Sequence, residues 1–357
     1  MEQRPTIAVS VIVPIFNTED YLEQCLTSIA NQNLDGLEIL CLNDGSTDGS
    51  LEIMQKFAAN DTRFRIIDKP NEGYGTTVNR GIDLAQGEYI AIVEPDDYLC
   101  GPLHEKLYAL AQSCNNPDIV KSAYWTVAEA DNGSKTRCGF WGRVKPSSEP
   151  FRIAQAPLLM RYHPSIWSAL YRKAFLNAAT IRFREVPGAG WVDNPFMVET
   201  YLKANSIIFT NDAYYCYRED RAGSSSVSIG DYRIPVDRWI EMDDIIKAEG
   251  LLDEQLLGIH AYRGFYCLSA ARSAQNFNQA DWSAAAQEVL LRMDPSIVAR
   301  SPFISQSNKA LYTELAKREL SQATRLPYYR MLAREAYWKI RQNGIHFFLQ
   351  RASQRRR

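Results

Sequence analysis

From residue 7 to residue 93 the chain alternates between two hydrophobic periodicities. Residues 7–16, IAVSVIVPIF, are β-branched and nearly all apolar, as in a strand buried on both faces. Asn17 stands where a helix cap belongs, Glu19 and Asp20 suit a first turn, and Tyr21, Leu22, Cys25, Leu26 and Ile29 recur at helical spacing. Residues 37–42 read as a second strand, followed by the turn Asn43-Asp44-Gly45-Ser46 and a helix over 47–59. Residues 64–67 read as a third strand, 76–85 as a helix closed by Gly87, and 89–93 as a fourth strand. Alternating units of this length predict an α/β fold, a mostly parallel sheet with flanking helices. Such sheets bind ligands beyond the carboxyl ends of their strands. The polar clusters fall there: Asn17, Asp44 and Glu94-Pro95-Asp96-Asp97 each follow a strand.

Further along, residues 127–148 are irregular, 166–176 and 193–204 look helical, and 207–217 hold short strand-like pieces. From residue 235 onward the pattern is helix after helix, including 236–248, 254–274 and 284–292. The shift places a boundary near residues 221–234, so that 1–228 form the α/β domain and 229–357 a helical C-terminal region.

Composition narrows the class. Of 357 residues 46% are hydrophobic, with 7 Trp, 19 Tyr and 14 Phe, too many for a disordered chain. The seven cysteines are scattered and never spaced C-x-x-C, which argues against a disulfide framework or a structural zinc and fits a reducing cytosol. Met1-Glu2-Gln3-Arg4-Pro5 does not open a leader pattern, and no apolar run nears the ~20 residues that span a bilayer. The expected location is the cytoplasm, or the inner face of a membrane. Charge is uneven: residues 316–357 hold 11 Lys/Arg against 2 Asp/Glu, so with a net charge of −2 the rest carries −11. An anionic partner is expected for the tail alone, with no sign of nucleic-acid binding.

Three carboxylates within Glu94–Asp97 repel one another unless something positive neutralises them. A hard divalent cation, Mg²⁺ or Mn²⁺, would do so, sharing its oxygen ligands between a carboxylate and phosphate; a solvated turn is the other reading. Asp44 alone reads as a turn residue. The chain has no complete dinucleotide fingerprint, no P-loop and no G-x-S-x-G elbow, and its four histidines lack metal-ligand spacing.

In order, Val9-Ser10-Val11-Ile12-Val13-Pro14-Ile15-Phe16-Asn17, Asn43-Asp44-Gly45-Ser46, Asn71-Glu72-Gly73, Asn79-Arg80-Gly81 and Glu94-Pro95-Asp96-Asp97 resemble the donor half of family 2 glycosyltransferases. Ile166-Trp167-Ser168-Ala169-Leu170-Tyr171-Arg172 and Trp191-Val192-Asp193-Asn194-Pro195-Phe196 resemble the acceptor half. The resemblance implies a GT-A fold, with residues 1–100 as donor half and 101–228 as acceptor half. It also implies metal-dependent, inverting transfer of a hexose or N-acetylhexosamine from a nucleotide-sugar, a UDP-sugar, to a hydroxyl of a glycan or lipid-linked acceptor in surface polysaccharide synthesis. Carried over residue by residue, Pro14, Phe16, Asn17, Asp44, Gly73, Asn79, Glu94 and Asp96 would bind the nucleotide-sugar. Asp96 would hold the metal, and Asp193 would be the general base. Trp167 and Trp191 would present flat faces to the acceptor; plain packing is the other reading for both. Asp193 also reads as a helix N-cap ahead of Pro195. Three departures stand out: Glu94 stands where the family often has Asp, and Asn43 and Val192 replace acids common in the family. The last two leave open a nucleotide-sugar-binding protein without catalysis, and the strand-end acids also suit a sugar-phosphate nucleotidyltransferase.

In the tail, Tyr329, Ala333, Ala336, Tyr337 and Ile340 share one helical face, with Arg330, Arg334 and Arg341 adjoining it. His346-Phe347-Phe348-Leu349, Arg351 and Arg355-Arg356-Arg357 follow. This helix would either lie on an anionic membrane surface or pack on the α/β domain with its arginines facing acids.

Overall fold

The computed structural model describes residues 7–128, 133–219, 229–321 and 325–344. It separates into two compact units. One comprises Met1–Cys138, Val144–Arg152 and Pro164–Arg221; the other comprises Gly139–Arg143, Ile153–His163 and Ala222–Arg357. The second unit thus takes in two short stretches from the middle of the chain, which a contiguous division at residue 228 does not separate.

In the first unit the order is β1 (Val9–Ile15), α1 (Glu19–Ala30), β2 (Leu37–Asp44), α2 (Ser50–Asn60), β3 (Phe64–Lys69), α3 (Tyr74–Leu84), β4 (Tyr89–Ile92), β5 (Tyr98–Leu99), α4 (Leu103–Ser113), β6 (Ile119–Ala128) and β7 (Ser134–Arg137). After α5 (Leu158–Arg161), which belongs to the second unit, come β8 (Ala169–Arg172), α6 (Lys173–Ala178), α7 (Asp193–Lys203) and β9 (Ile207–Arg218). The described strands form one sheet in the order β3-β2-β1-β4-β8-β6-β9-β5, with β7 paired to β6.

The β3-β2-β1-β4 half is parallel throughout, and β1 pairs with β2 on one side and β4 on the other. The strand order therefore reverses at β1, and the crevice beyond its carboxyl end is the expected ligand position. The other half is mixed, because β8 runs antiparallel to both β4 and β6 while β6 and β9 are parallel. The sheet is thus less parallel than the sequence suggests. Residues 166–176, which look helical, contain β8 and then the short α6; a short strand buried on both faces has no period to separate it from helix. Strand β6 is hidden in the sequence because Lys121 and Ser122 interrupt its apolar run. Both are buried, and the Lys121 ammonium donates to the Ser165 and Ser168 hydroxyls at 2.8 Å each.

The second unit is helical: α8 (Arg233–Ala248), α9 (Glu254–Ala271), α10 (Gln279–Arg292), α11 (Pro295–Arg300), α12 (Gln306–Ala316) and α13 (Leu326–Asn343). Asp253, Asn278, Asp294 and Ser305 cap α9 to α12 with side-chain oxygens. Its core centres on Trp239 and Trp282, whose indole N–H groups donate to the His260 and Leu268 carbonyls at 3.0 Å. No helix among the described residues is long and apolar enough to cross a membrane. Residues 345–357, with His346–Leu349, Arg351 and Arg355–Arg357, lie outside the described residues, as do 129–132 and 220–228.

Candidate functional site

The ends of β1, β2 and β4 build one rim. Pro14 is buried within β1, and Phe16 just beyond it is 47% exposed. Asn17 adopts φ 50° and does not cap α1, whose cap position is Thr18. Its side-chain oxygen instead accepts the Thr47 N–H at 2.8 Å, and its own N–H donates to the Ser46 hydroxyl at 3.1 Å, tying the β1 and β2 loops together. The two helix N-termini cap each other: Asp48 accepts from the Glu19 and Ser50 N–H groups at 3.0 Å, and Glu19 accepts from Gly49 at 2.6 Å.

Asn43 now has a physical reason. Its amide donates to the Asp68 carboxylate at 2.8 Å while its oxygen accepts the Ser46 N–H at 3.0 Å. An aspartate there would face Asp68, its neighbour across β2 and β3, charge against charge. Asp44 is buried and paired with Lys69, and its carboxylate also accepts the Glu72 and Gly73 N–H groups at 2.8 and 3.0 Å. Burial pushes this carboxyl up, but the Lys69 ammonium and the Glu72 N–H more than offset that and hold it below the ordinary aspartate value. Asp44 thereby shapes the 70–73 loop at the rim.

That loop receives the acceptor half. Gly73 sits at φ 91°, where a Cβ would lie 2.6 Å from the Val186 carbonyl, and a Cβ on Gly75 would lie 2.0 Å from that of Arg184. The Tyr74 N–H donates to the Gly188 carbonyl at 3.1 Å. Asn79 is spent on the same junction: it exchanges two hydrogen bonds with the Phe183 backbone, at 2.8 and 2.9 Å, and donates to Glu185 at 3.2 Å. Glycine and asparagine here clamp residues 183–188, the segment that leads to Asp193.

Trp191 is half-buried with φ 55°, a left-handed backbone unusual for a bulky residue. Asp193 opens α7 but does not cap it; the cap position is Val192, without a side-chain hydrogen bond. The half-buried Asp193 carboxylate accepts from the buried Asn194 amide at 2.9 Å. Val192 is 1% exposed, so an acid at its place would be buried among apolar groups. Tyr74 joins the halves: its hydroxyl donates to Glu94 at 2.6 Å. Burial, the Glu94 charge and hydrogen bond, and then the charges of Asp193 and Asp96 push its phenol well above the ordinary value. Glu94, Asp96 and Asp193 therefore share one electrostatic neighbourhood.

Within the acidic loop the labour divides. Asp97 is buried, and its carboxylate accepts the Tyr215 hydroxyl at 2.9 Å and the Arg218 N–H at 2.8 Å. Burial, then the Asp96 charge, raises its pKa despite both bonds. The Tyr215 hydroxyl also accepts the Glu94 N–H at 3.1 Å, and the Arg218 guanidinium donates to the Asp96 carbonyl and the Gln24 side chain. Tyr215 and Arg218 carry no motif, and sequence reading passes over them; Asn194 lies in the Trp191–Phe196 motif, but the motif does not assign its hold on Asp193. The acids sit close enough to perturb one another, which suits a hard cation sharing one or two carboxylates with phosphate oxygens and water. Among the described residues no three potential ligands converge.

Trp167 corrects an expectation. It is 3% exposed, stacked on Tyr215 (4.1 Å between centroids, 15°) and Tyr217 (5.2 Å, 20°), with Tyr124 against it edge-on. Its ring packs beneath the acidic loop's support and offers no face to a sugar; Trp191 remains the aromatic beside Asp193.

The sequence profile of Glycosyl transferase family 2 matches residues 10–174. Glycosyltransferase GlyG of Streptococcus pneumoniae is 34% identical over 60% of this chain and 72% of its own length. The poly(ribitol-phosphate) beta-glucosyltransferase of Bacillus spizizenii is 28% identical over 67% of this chain and 36% of its own. The chain spans 61% of the length of the first curated relatives it matches. In fold, TarS 1–349 of S. aureus, crystallised with UDP, aligns over 91% of both chains with a TM-score of 0.70 at 20% identity. A GT-A-like first unit with a helical region after it, and a relative of this identity over most of its length, make the chain a member of glycosyl transferase family 2.

Proposed function

We propose that the protein transfers a hexose or N-acetylhexosamine from a UDP-sugar to a hydroxyl of a glycan or lipid-linked acceptor, with inversion. The observation that carries this is the Tyr74 hydroxyl, hydrogen-bonded to Glu94 at 2.6 Å and within electrostatic reach of Asp193 and Asp96. In the proposed step Asp193 takes the acceptor's hydroxyl proton as its oxygen bonds to the anomeric carbon. The bond from that carbon to the diphosphate breaks, and the electron pair leaves with UDP. Attack opposite the leaving group inverts the centre. Asn194 holds the Asp193 carboxylate, and Tyr74 holds Glu94, so both acids are oriented before substrate arrives. Asp96 would hold a Mg²⁺ or Mn²⁺ ion, whose Lewis acidity would stabilise charge on the departing diphosphate. Phe16, exposed at the end of β1, and the rim of Pro14, Asn17 and Asp44 would receive the nucleotide. The UDP complex of the fold relative supports the donor, and the relative named for poly(ribitol-phosphate) supports a surface-polymer acceptor. We place the reaction in the cytoplasm, at the inner face of a membrane.

Incubation with a panel of nucleotide-sugars, acceptors and Mn²⁺ tests the reading. Release of nucleoside diphosphate with a glycosylated product of inverted anomeric configuration supports it; pyrophosphate release would assign nucleotidyltransfer instead. Asp193→Asn keeps the carboxylate's shape and removes its basicity. Turnover should fall by at least ~10²-fold with nucleotide affinity nearly unchanged, and unchanged turnover would remove Asp193 from the chemistry.

A further inference from the structure

Helix α13 is amphipathic, and the stripe by which it docks carries its one acid. Met331, Glu335, Trp338 and Gln342 recur at i, i+4, i+7 and i+11, one stripe of the helix. Glu335 is gripped by Arg143 (2.6 and 3.0 Å) and Arg161 (2.5 Å), and the Tyr162 hydroxyl donates to it at 3.3 Å. Gln342 donates to the Trp141 carbonyl at 2.7 Å, and Arg161 reaches the Met331 sulfur at 3.6 Å. The opposite side carries Leu326, Tyr329 and Tyr337, exposed at 56%, 56% and 57%, with Ala333 exposed between them. Arg330, Arg334 and Arg341 border this apolar strip, and all three are exposed.

We propose that this outward face of α13 lies on the surface of an anionic phospholipid bilayer, with the tyrosines and Leu326 entering the interface and the three arginines meeting lipid phosphates. The inference deepens the proposed membrane-linked acceptor, but vesicle binding needs neither donor nor acceptor. Charge selects the occupant. Glu335 is the helix's one acid, and Arg143 and Arg161 already neutralise it. The exposed rim is therefore basic, and a second copy of the same face would bring arginines against arginines. A purely polyanionic partner would use the arginines and leave the apolar strip in water, whereas a bilayer interface takes both. The sequence after the helix adds Arg351 and Arg355–Arg357 without an acid.

Flotation of the full-length protein with phosphatidylcholine vesicles, with and without phosphatidylglycerol, tests the proposal. Binding is expected only to the anionic vesicles and should weaken steeply with salt. Arg330→Glu/Arg334→Glu/Arg341→Glu and Tyr329→Ser/Tyr337→Ser should each lower the partition coefficient by about tenfold or more. All five positions are exposed, so melting temperatures should stay near that of the parent. No flotation with anionic vesicles would overturn the proposal, as would flotation that both variants leave unchanged. Sedimentation showing a dimer that the tyrosine variant dissociates would give the face to a second copy. Retention on heparin without vesicle binding would give it to an acidic polymer. If flotation succeeds while the donor panel yields no transfer, the membrane surface stands and the transferase reading fails.

Discussion

Tyr215 shows how a residue without a motif governs a site. Its hydroxyl donates to Asp97 and accepts from the Glu94 N–H, while its ring lies on Trp167. Tyr215→Phe keeps the stack and removes the bridge, leaving a buried carboxylate with one donor fewer. A stability loss of about 1–3 kcal/mol is expected. The larger effect should fall on the acidic loop, with the donor KM rising about tenfold or more and Asp193 chemistry less affected. Initial-rate kinetics over donor and Mn²⁺ concentrations measure it; equal loss in kcat and no change in donor KM would contradict a positioning role. The carboxylates of this site were legible in the sequence because acids at strand ends stand out. Tyr215 and Arg218 were not, because they act across the fold: Tyr215 is 121 residues from Glu94.

At the scale of the element, an ion cluster at Glu335 anchors α13 together with the Gln342 bond to Trp141. Burial raises the Glu335 carboxyl, but Arg143 and Arg161 override it and bring its pKa to about 2. Against an ordinary glutamate near 4.3, that depression corresponds to roughly 3 kcal/mol of stability. Because the folded value is depressed, the contribution is complete above about pH 4.3 and fades as pH falls towards 2. Glu335→Gln should therefore lower stability by about 3 kcal/mol at neutral pH, also leaving two arginines poorly paired. Thermal melts of both proteins from pH 7 to pH 2.5 check this, with the gap closing only below about pH 4. Helix α3 shows the same dependence on partners: Gly75 leaves the room through which the Arg184 carbonyl approaches.

Over the whole molecule the seven cysteines are free thiols, six buried and only Cys100 exposed. The neighbouring Cys216 thiol holds the Cys100 pKa down to about 7. In the native protein, a thiol reagent should label one cysteine quickly, half-maximally near pH 7, and the other six only after denaturation. Fast native labelling of several thiols would contradict the packing of both β5 and β9 and the cores around the rest.

The sequence by itself determined the parallel β1–β4 half, the rim acids, the helical character of the second unit and the amphipathic pattern of α13. Each is written in local periodicity or in a turn, so neighbours in sequence suffice to specify it. Only the tertiary structure decided the rest. It turned residues 169–172 into a strand, because burial on both faces erases the strand period. It made Asn79 a clamp, since the Phe183 backbone it binds is 104 residues away. It buried Trp167 beneath two tyrosines, and it brought in Asn43 to suit Asp68 on the next strand. On α13 the pattern announced an apolar face and a polar one but could not say which would turn inward. Arg143 and Arg161, distant in sequence, settled that by drawing Glu335 in and leaving Tyr329 and Tyr337 outside.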